Sequence, residues 1–361
     1  MGTPLPRKWL FWIAVVLGAL VLFYLVGVPS VELLLRQFRP PPPAIRVLEE
    51  MSFGEQLRLR AAEGFVAAWI FCFGAMIGSF LNVVVYRLPR GESIVMRGSY
   101  CPRCGAPIAS RDNLPVIGWL LLGGRCRVCR GPISTRYPIV EFMTASLFLV
   151  LYLVQLRSGG ANLPTRTPNH YTGVVWIIFD TRWDLVGLYA YHSYLLSTVF
   201  AWSLIQGDGE RIPRGAVGVT LMLALIPPLA WPPLLLVKLT EPLPEFLATA
   251  AWHGSLATAV AGGLAGCVLG QLLHVFQPER RPAERLGAEA NPVPGCLLLG
   301  LGLGWQAILV IAGLAAGFRG LVAALSRRGP PGQRIPPLAY VLVAALLHHL
   351  LWRPIYHSLF G

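Results

Sequence analysis

Residues 78–141 read GSFLNVVVYRLPRGESIVMRGSYCPRCGAPIASRDNLPVIGWLLLGGRCRVCRGPISTRYPIVE, with a long apolar run before them and another after. Two Cys-x-x-Cys pairs lie inside, Cys101 with Cys104 and Cys126 with Cys129, separated by twenty-one residues. Each pair sits on a tight turn, the first carrying Pro102 and Gly105, that aims two sulfurs at one point. Four thiolates so spaced close a tetrahedron around Zn²⁺. Two disulfides or four idle thiols are the rival readings. From Arg87 to Arg136 nine arginines stand against only Glu92 and Asp112, so the positive-inside rule keeps this loop in the cytoplasm. Reducing conditions there favour metal over disulfides. The expected zinc is structural, because four cysteines fill its shell and leave no position for water or substrate.

The whole chain, 361 residues, is 55% hydrophobic and 13% charged, where a soluble domain carries about a quarter charged residues. Most of it therefore belongs in lipid. The net charge of +13 comes almost wholly from arginine, with lysine only at Lys8 and Lys238. In a soluble protein that excess would suggest nucleic acid; here the arginines flank apolar runs, and orientation in an anionic bilayer explains them without it. Cys72, Cys267 and Cys296 stand singly in apolar stretches and read as packing residues.

Apolar runs long enough to cross a bilayer as helices extend over Trp9 to Val28, Gly64 to Leu88, Pro138 to Leu156, Leu185 to Ile205, Ala216 to Val237 and Leu247 to Phe276. The first is read as an uncleaved helix rather than a signal peptide, since it runs into Pro29, Val31 and Glu32 without a small-residue cleavage site. A linker broken at Pro40 to Pro43 follows it, with an amphipathic helix around Leu48 to Ala62. Further on, a single crossing from Gly295 to Ala324 would put Arg327, Arg328 and Arg334 outside. A half-helix over Pro294 to Leu303, turning near Gly300, Gly302 and Gly304 and returning through Trp305 to Leu325, keeps them inside. Broken helices at membrane depth line cavities or are buried in protein, so this region is an expected site. Pro336 to Leu351 is the last span, with His348 and His349 at its outer end, while His192, His253 and His274 stand alone on apolar helices. The expected fold is all-α: a polytopic membrane protein of eight long helices plus one broken half-helix, with a small cytoplasmic zinc-binding loop domain. No repeat with a period of about 20 to 50 residues is visible, and Gly262 to Gly270 reads as close helix packing rather than phosphate binding.

GSFLNVVVYRLPRGES (Gly78 to Ser93), the two cysteine pairs, DNLPVIGWLLLGGRCRVC (Asp112 to Cys129) and ISTRYPIVE (Ile133 to Glu141) resemble the amino-terminal domain of the type IV prepilin leader peptidase / N-methyltransferase family. GERIP (Gly209 to Pro213), LGWQA (Leu303 to Ala307) and RIPPLAYVLVAALL (Arg334 to Leu347) are similar to its later landmarks. The resemblance implies three regions: an added span and linker over 1–63, the amino-terminal domain over 64–156, and a helical membrane peptidase-like domain over 185–353. It implies a multi-pass protein of the bacterial inner membrane, an aspartic endopeptidase that removes the leader of pilin-like precursors or type II secretion pseudopilins. It also implies a methyltransferase of the new amino terminus that uses S-adenosylmethionine.

Such a peptidase needs two carboxyl groups sharing a proton to activate water. The family's first Asp lies six residues before the Ile of its Ile-Pro landmark, which here is Gln206. Its second opens the short helix before the Gly-Trp-Gln landmark, which here is Pro292. Neither residue is an acid. Asp208 with Glu289 is the substitute pair that remains, one in the turn after the Leu185 to Ile205 span and one before the half-helix. The alternative is a family member without proteolysis that serves as a binding or assembly factor. Glu141 is expected near the interface, paired with a loop arginine such as Arg136.

Overall fold

The computed structural model describes residues 15, 18–19, 21–27, 52–96, 98–169, 173–237, 251–276, 291–326 and 335–360. Glu289, the Pro40 to Pro43 linker and most of the expected first span lie outside these residues. The described α-helices are α1 (Phe53–Arg87), α2 (Ile117–Leu121), α3 (Arg136–Leu151), α4 (Val174–Phe179), α5 (Trp183–Gly207), α6 (Arg214–Ala230), α7 (Ala251–Val275), α8 (Val293–Leu303), α9 (Trp305–Ser326) and α10 (Pro337–Leu359). Two isolated β-bridges, and no named strand, occur among the described residues. The chain divides into two compact units, residues 1–79 with 98–149 and residues 80–97 with 150–361.

Five of the described helices are long and apolar enough to cross a membrane: 54–90, 136–157, 253–275, 305–325 and 337–359. The protein is a helical membrane protein, and the expected segments Leu185 to Ile205 and Ala216 to Val237 are also helical, as α5 and α6, though outside those five. At 25 residues α5 is long enough, yet it carries Tyr189, Tyr191, His192, Tyr194 and Ser193 through its middle. Sixteen of its residues are buried, so other helices rather than lipid surround it. Helix α6 stops at Ala230, after 17 residues, because Pro227 and Pro228 remove two amide donors from its last turns. Pro228 leaves the Ala224 carbonyl without its helical partner, and the Tyr191 hydroxyl of α5 donates to that oxygen.

The expected amphipathic segment and second span are one helix. Ser52 and Glu55 cap α1 reciprocally: the Ser52 amide and hydroxyl donate to Glu55 Oε2 at 2.7 and 2.8 Å, and the Glu55 amide donates to Ser52 Oγ at 3.4 Å. The 35 residues that follow make about 52 Å of helix, well beyond the hydrocarbon thickness of about 30 Å.

Helices α7 and α8 pack backbone to backbone. A Cβ on Gly262 would lie 2.1 Å from the Gly300 carbonyl oxygen, one on Gly266 2.2 Å from that of Cys296, and one on Gly270 2.5 Å from Val293 Cα. Glycines four apart form the contact stripe of one helix, as in membrane helix pairs. The expected break between half-helix and return is present at Gly304, whose φ of +86° only glycine adopts without strain. The last helix is longer than expected. It bends at Leu351 (φ −113°, ψ 16°), three residues before Pro354, and continues to Leu359, so His348 and His349 lie within it and are buried.

Candidate functional site: the four-cysteine loop and the Gln206 locus

The two cysteine turns are copies of one structure. In the first, Cys101 N–H donates to Ala106 O, Gly105 N–H to Cys101 O and Ile108 N–H to Ser99 O; in the second, Cys126 N–H donates to Gly131 O, Arg130 N–H to Cys126 O and Ile133 N–H to Gly124 O. Tyr100 bridges Pro107, and Arg125 bridges Pro132. Every member is displaced by 25 residues, and the sequence carries the signal as C-x-x-C-x-x-P-I at Cys101 to Ile108 and Cys126 to Ile133. That short local repeat corrects the expectation of no repeat. Each turn needs a left-handed residue after its second cysteine. Gly105 supplies one at φ +71° and Arg130 the other at φ +56°, the second against the Cβ penalty that glycine escapes.

The four sulfurs lie within 4.8 Å of one another, Cys101 and Cys129 at 3.9 Å. Thiolates about 2.3 Å from a tetrahedral Zn²⁺ stand about 3.8 Å apart, so the residues present fit the ion. Amides of Cys104 and Arg103 point at the Cys101 sulfur and hold its thiol down at about 7. At Cys104 the Ala106 amide pulls the same way, but burial and the sulfurs of Cys101, Cys129 and Cys126 outweigh it and push that thiol up to about 11. Four sulfurs facing one another cannot all ionise without a cation between them. This arrangement can hold a metal ion.

Around the turns the loop is pinned in several places. Arg127 donates to both Asp112 oxygens, Nε to Oδ2 at 2.7 Å and a terminal nitrogen to Oδ1 at 2.5 Å, which holds the Asp112 carboxyl below its usual range. Trp119 Nε1 donates to Ile133 O at 3.1 Å, and its ring lies where a side chain on Gly124 would go. Glu141 does not pair with Arg136 as expected. Its Oε2 accepts the Val116 amide at 2.6 Å, and Val116 adopts φ +61°, ψ −53°, a costly conformation for a β-branched residue. Gly78 lies so near that a Cβ would stand 2.7 Å from Glu141 Cα. GSFLN, NLPVIGW and YPIVE thus converge on one buried carboxylate, a meeting that spacing along the chain does not disclose.

In the second unit Gln206 lies beside the segment that carries Pro292. Gln206, 5% exposed at the end of α5, donates from Nε2 to the Asn291 carbonyl at 2.6 Å. Asn291 precedes Pro292, the N-cap of α8, and its Oδ1 accepts the Val293 amide at 3.0 Å. Gln206 Oε1 is buried without a partner. Asp208 is exposed at the C-cap of α5, its amide donating to Leu204 O at 3.0 Å. Its neighbour Glu210 is ion-paired with Arg90 at 3.1 Å.

Comparison with known proteins places these features in one lineage. The model of the Bacterial Peptidase A24 N-terminal domain matches residues 72–155, from α1 through the cysteine loop and α3. A prepilin leader peptidase/N-methyltransferase of Myxococcus xanthus is 51% identical over 82 residues, covering 23% of this chain and 24% of the relative. Matches with relatives of the same name are longer. One of Aeromonas hydrophila is 30% identical over 310 residues, 78% of this chain and 89% of the relative, and one of Klebsiella pneumoniae is 31% identical over 258 residues, 69% and 91%. No solved structure matches the chain. Similarity that runs from the cysteine loop through the later helices carries the sequence-level resemblance across most of the molecule, and the chain belongs to the prepilin leader peptidase/N-methyltransferase family.

Proposed function

We propose that this protein receives the leader end of pilin-like precursors in the bacterial inner membrane and holds them without cutting, as a binding or assembly factor. The observation that supports this is the Gln206 amide fastened to the Asn291 carbonyl. Peptide hydrolysis by paired acids needs one carboxyl to give a proton while its partner draws one from water. An uncharged amide does neither near neutral pH. What Gln206 offers is an unpartnered oxygen that accepts a backbone N–H from an extended peptide. In this reading the cysteine loop lies in the cytoplasm and carries structural Zn²⁺, which would be held by Cys101, Cys104, Cys126 and Cys129 and would fix the loop's shape.

The family's second activity draws a methyl group from S-adenosylmethionine. Glu141, the buried acid of the matched segment, already accepts the Val116 amide and a Ser79 hydrogen bond. Methyl transfer is not assigned to these residues.

Co-expression with a tagged pilin-like precursor, followed by purification in detergent, tests the reading. The precursor is expected to co-purify with its leader intact, and Gln206→Ala should weaken retention about fivefold, the worth of one hydrogen bond of about 1 kcal/mol. No retention, or retention indifferent to Gln206, would overturn it.

A further inference from the structure

Three imidazoles meet inside the second unit, His192 from α5 with His348 and His349 from α10, each no more than 1% exposed. The His192 and His349 ring centroids are 4.8 Å apart, those of His348 and His349 5.6 Å, and Trp352 lies against all three rings. Hydrogen bonds orient two of the rings. His349 Nδ1 faces the Ala345 carbonyl at 2.7 Å, and His192 Nδ1 faces Gln155 Oε1 at 3.2 Å. The Ala345 carbonyl can only accept, so His349 Nδ1 carries the proton and its Nε2 presents a lone pair, and with the Gln155 oxygen toward it His192 takes the same arrangement. Each Nε2 is buried without a partner, as are His348 Nδ1 and Gln155 Nε2. A buried polar atom left unpaired costs about 1–3 kcal/mol, and such a group in a native fold calls for an ion or water.

The backbone is irregular where it delivers these side chains. Gln155 sits in a π-helical turn, Tyr152–Arg157, that continues α3. His348 and His349 immediately precede the bend of α10 at Leu351. The bend is held by Asn162, whose Nδ2 donates to His349 O at 2.9 Å and whose carbonyl accepts the Arg353 amide at 3.0 Å, and by Arg353 Nε, which donates to Leu163 O at 2.8 Å. π-Turns and kinks give up regular helical hydrogen bonds and recur at functional sites. Here both re-aim polar side chains into an apolar interior.

We propose that this cluster is a second metal centre, a first-row transition-metal site of the zinc class held by Nε2 of His192 and His349, with His348 as third ligand. A histidine whose far nitrogen donates to a carbonyl or amide oxygen, leaving the near lone pair free, has the arrangement of a metal ligand with its supporting hydrogen bond. Imidazole is a suitable donor for zinc, copper and nickel. With metal–nitrogen bonds of about 2.0–2.1 Å, two rings on one tetrahedral ion have centroids about 5 Å apart, the spacing found. The imidazoles are less tightly gathered than the four sulfurs, the group of described residues that already converges on one point. Binding therefore turns the His348 ring toward the other two.

The test uses the full chain in detergent, stripped with a chelator and titrated with Co²⁺. The expected uptake is about two equivalents per chain, one with intense sulfur-to-cobalt charge transfer and one with weak visible bands and no sulfur contribution. His192→Gln and His349→Gln should each remove the second while leaving the sulfur band. Uptake of a single equivalent, or of two unaffected by both histidine changes, would overturn the proposal. If the histidine variants fail to fold, Cys126→Ser decides alone: it should still bind an equivalent with the sulfur-free spectrum, and binding none refutes the site.

Discussion

Cys126→Ser should abolish the sulfur-to-cobalt charge-transfer band and leave the loop between Gly98 and Ile133 open to protease. The turn around Cys126 is held by single backbone hydrogen bonds to Gly131, Cys126 and Gly124, by Trp119 on the Ile133 carbonyl and by the exposed Arg127 guanidinium on Asp112, each weak beside a metal. Bridges as short as Tyr100 to Pro107 and Arg125 to Pro132 cannot stand as a sheet. Structural zinc contributes about 10–16 kcal/mol of apparent binding free energy in small zinc domains, far above anything else available to this loop. Losing one thiolate of four removes most of it. Cleavage at loop sites should accelerate by at least about tenfold, since a loss of 1.4 kcal/mol already gives that factor when opening is rapid. Cys72→Ser, at an exposed cysteine outside the loop, is the control. Unchanged cobalt absorption in Cys126→Ser would refute four-sulfur ligation.

The second large effect lies at the α7–α8 contact. Gly262→Val sets a branched side chain where even a Cβ lies 2.1 Å from the Gly300 oxygen and 2.8 Å from Gly304 Cα. These neighbours are backbone, which no rotamer change can move aside. Overpacking of yielding side chains costs about 1–3 kcal/mol, and this substitution should exceed that range by forcing the two helices apart. The stripe at Gly266 and Gly270 would open with it, and the Gly304 break that follows α8 would be displaced. Thermal unfolding in detergent should fall steeply for Gly262→Val and hardly at all for Gly313→Val, where nothing lies within 4 Å of the added carbon. Equal unfolding temperatures would show that the helices do not meet through these glycines.

Much of this was legible in the chain because it is local. The spacing of Cys101, Cys104, Cys126 and Cys129 specifies two turns with sulfurs on one side, and the geometry around them follows. Arginines after Ala324 pointed to a broken helix, and Gly304 breaks it. The start of α1 was local too but was not read: Ser52 and Glu55 form a capping box, and the polar character of the segment behind them hid the continuous helix. Other features depend on partners distant in the chain. The burial of α5 cannot be read from its own composition, because Tyr191 finds its acceptor on α6, at a carbonyl freed by Pro228. Glu141 depends on a left-handed Val116 that no propensity favours. His192 seemed solitary because its companions lie on α10, and only the bend at Leu351 places them beside it. Counting residues back from the Ile-Pro and Gly-Trp-Gln landmarks leads to Gln206 and Pro292, and in the fold the Gln206 amide reaches the Asn291 carbonyl, one residue before Pro292.

The most direct measurement is the mass of a pilin-like precursor incubated in detergent with the purified protein, with Asp208→Asn and with Glu289→Gln. An amide at Gln206 and no acid at Pro292 predict full-length precursor in every sample. A precursor shortened by its leader with the native chain, and left whole by either variant, would contradict the account and establish a relocated pair of acids.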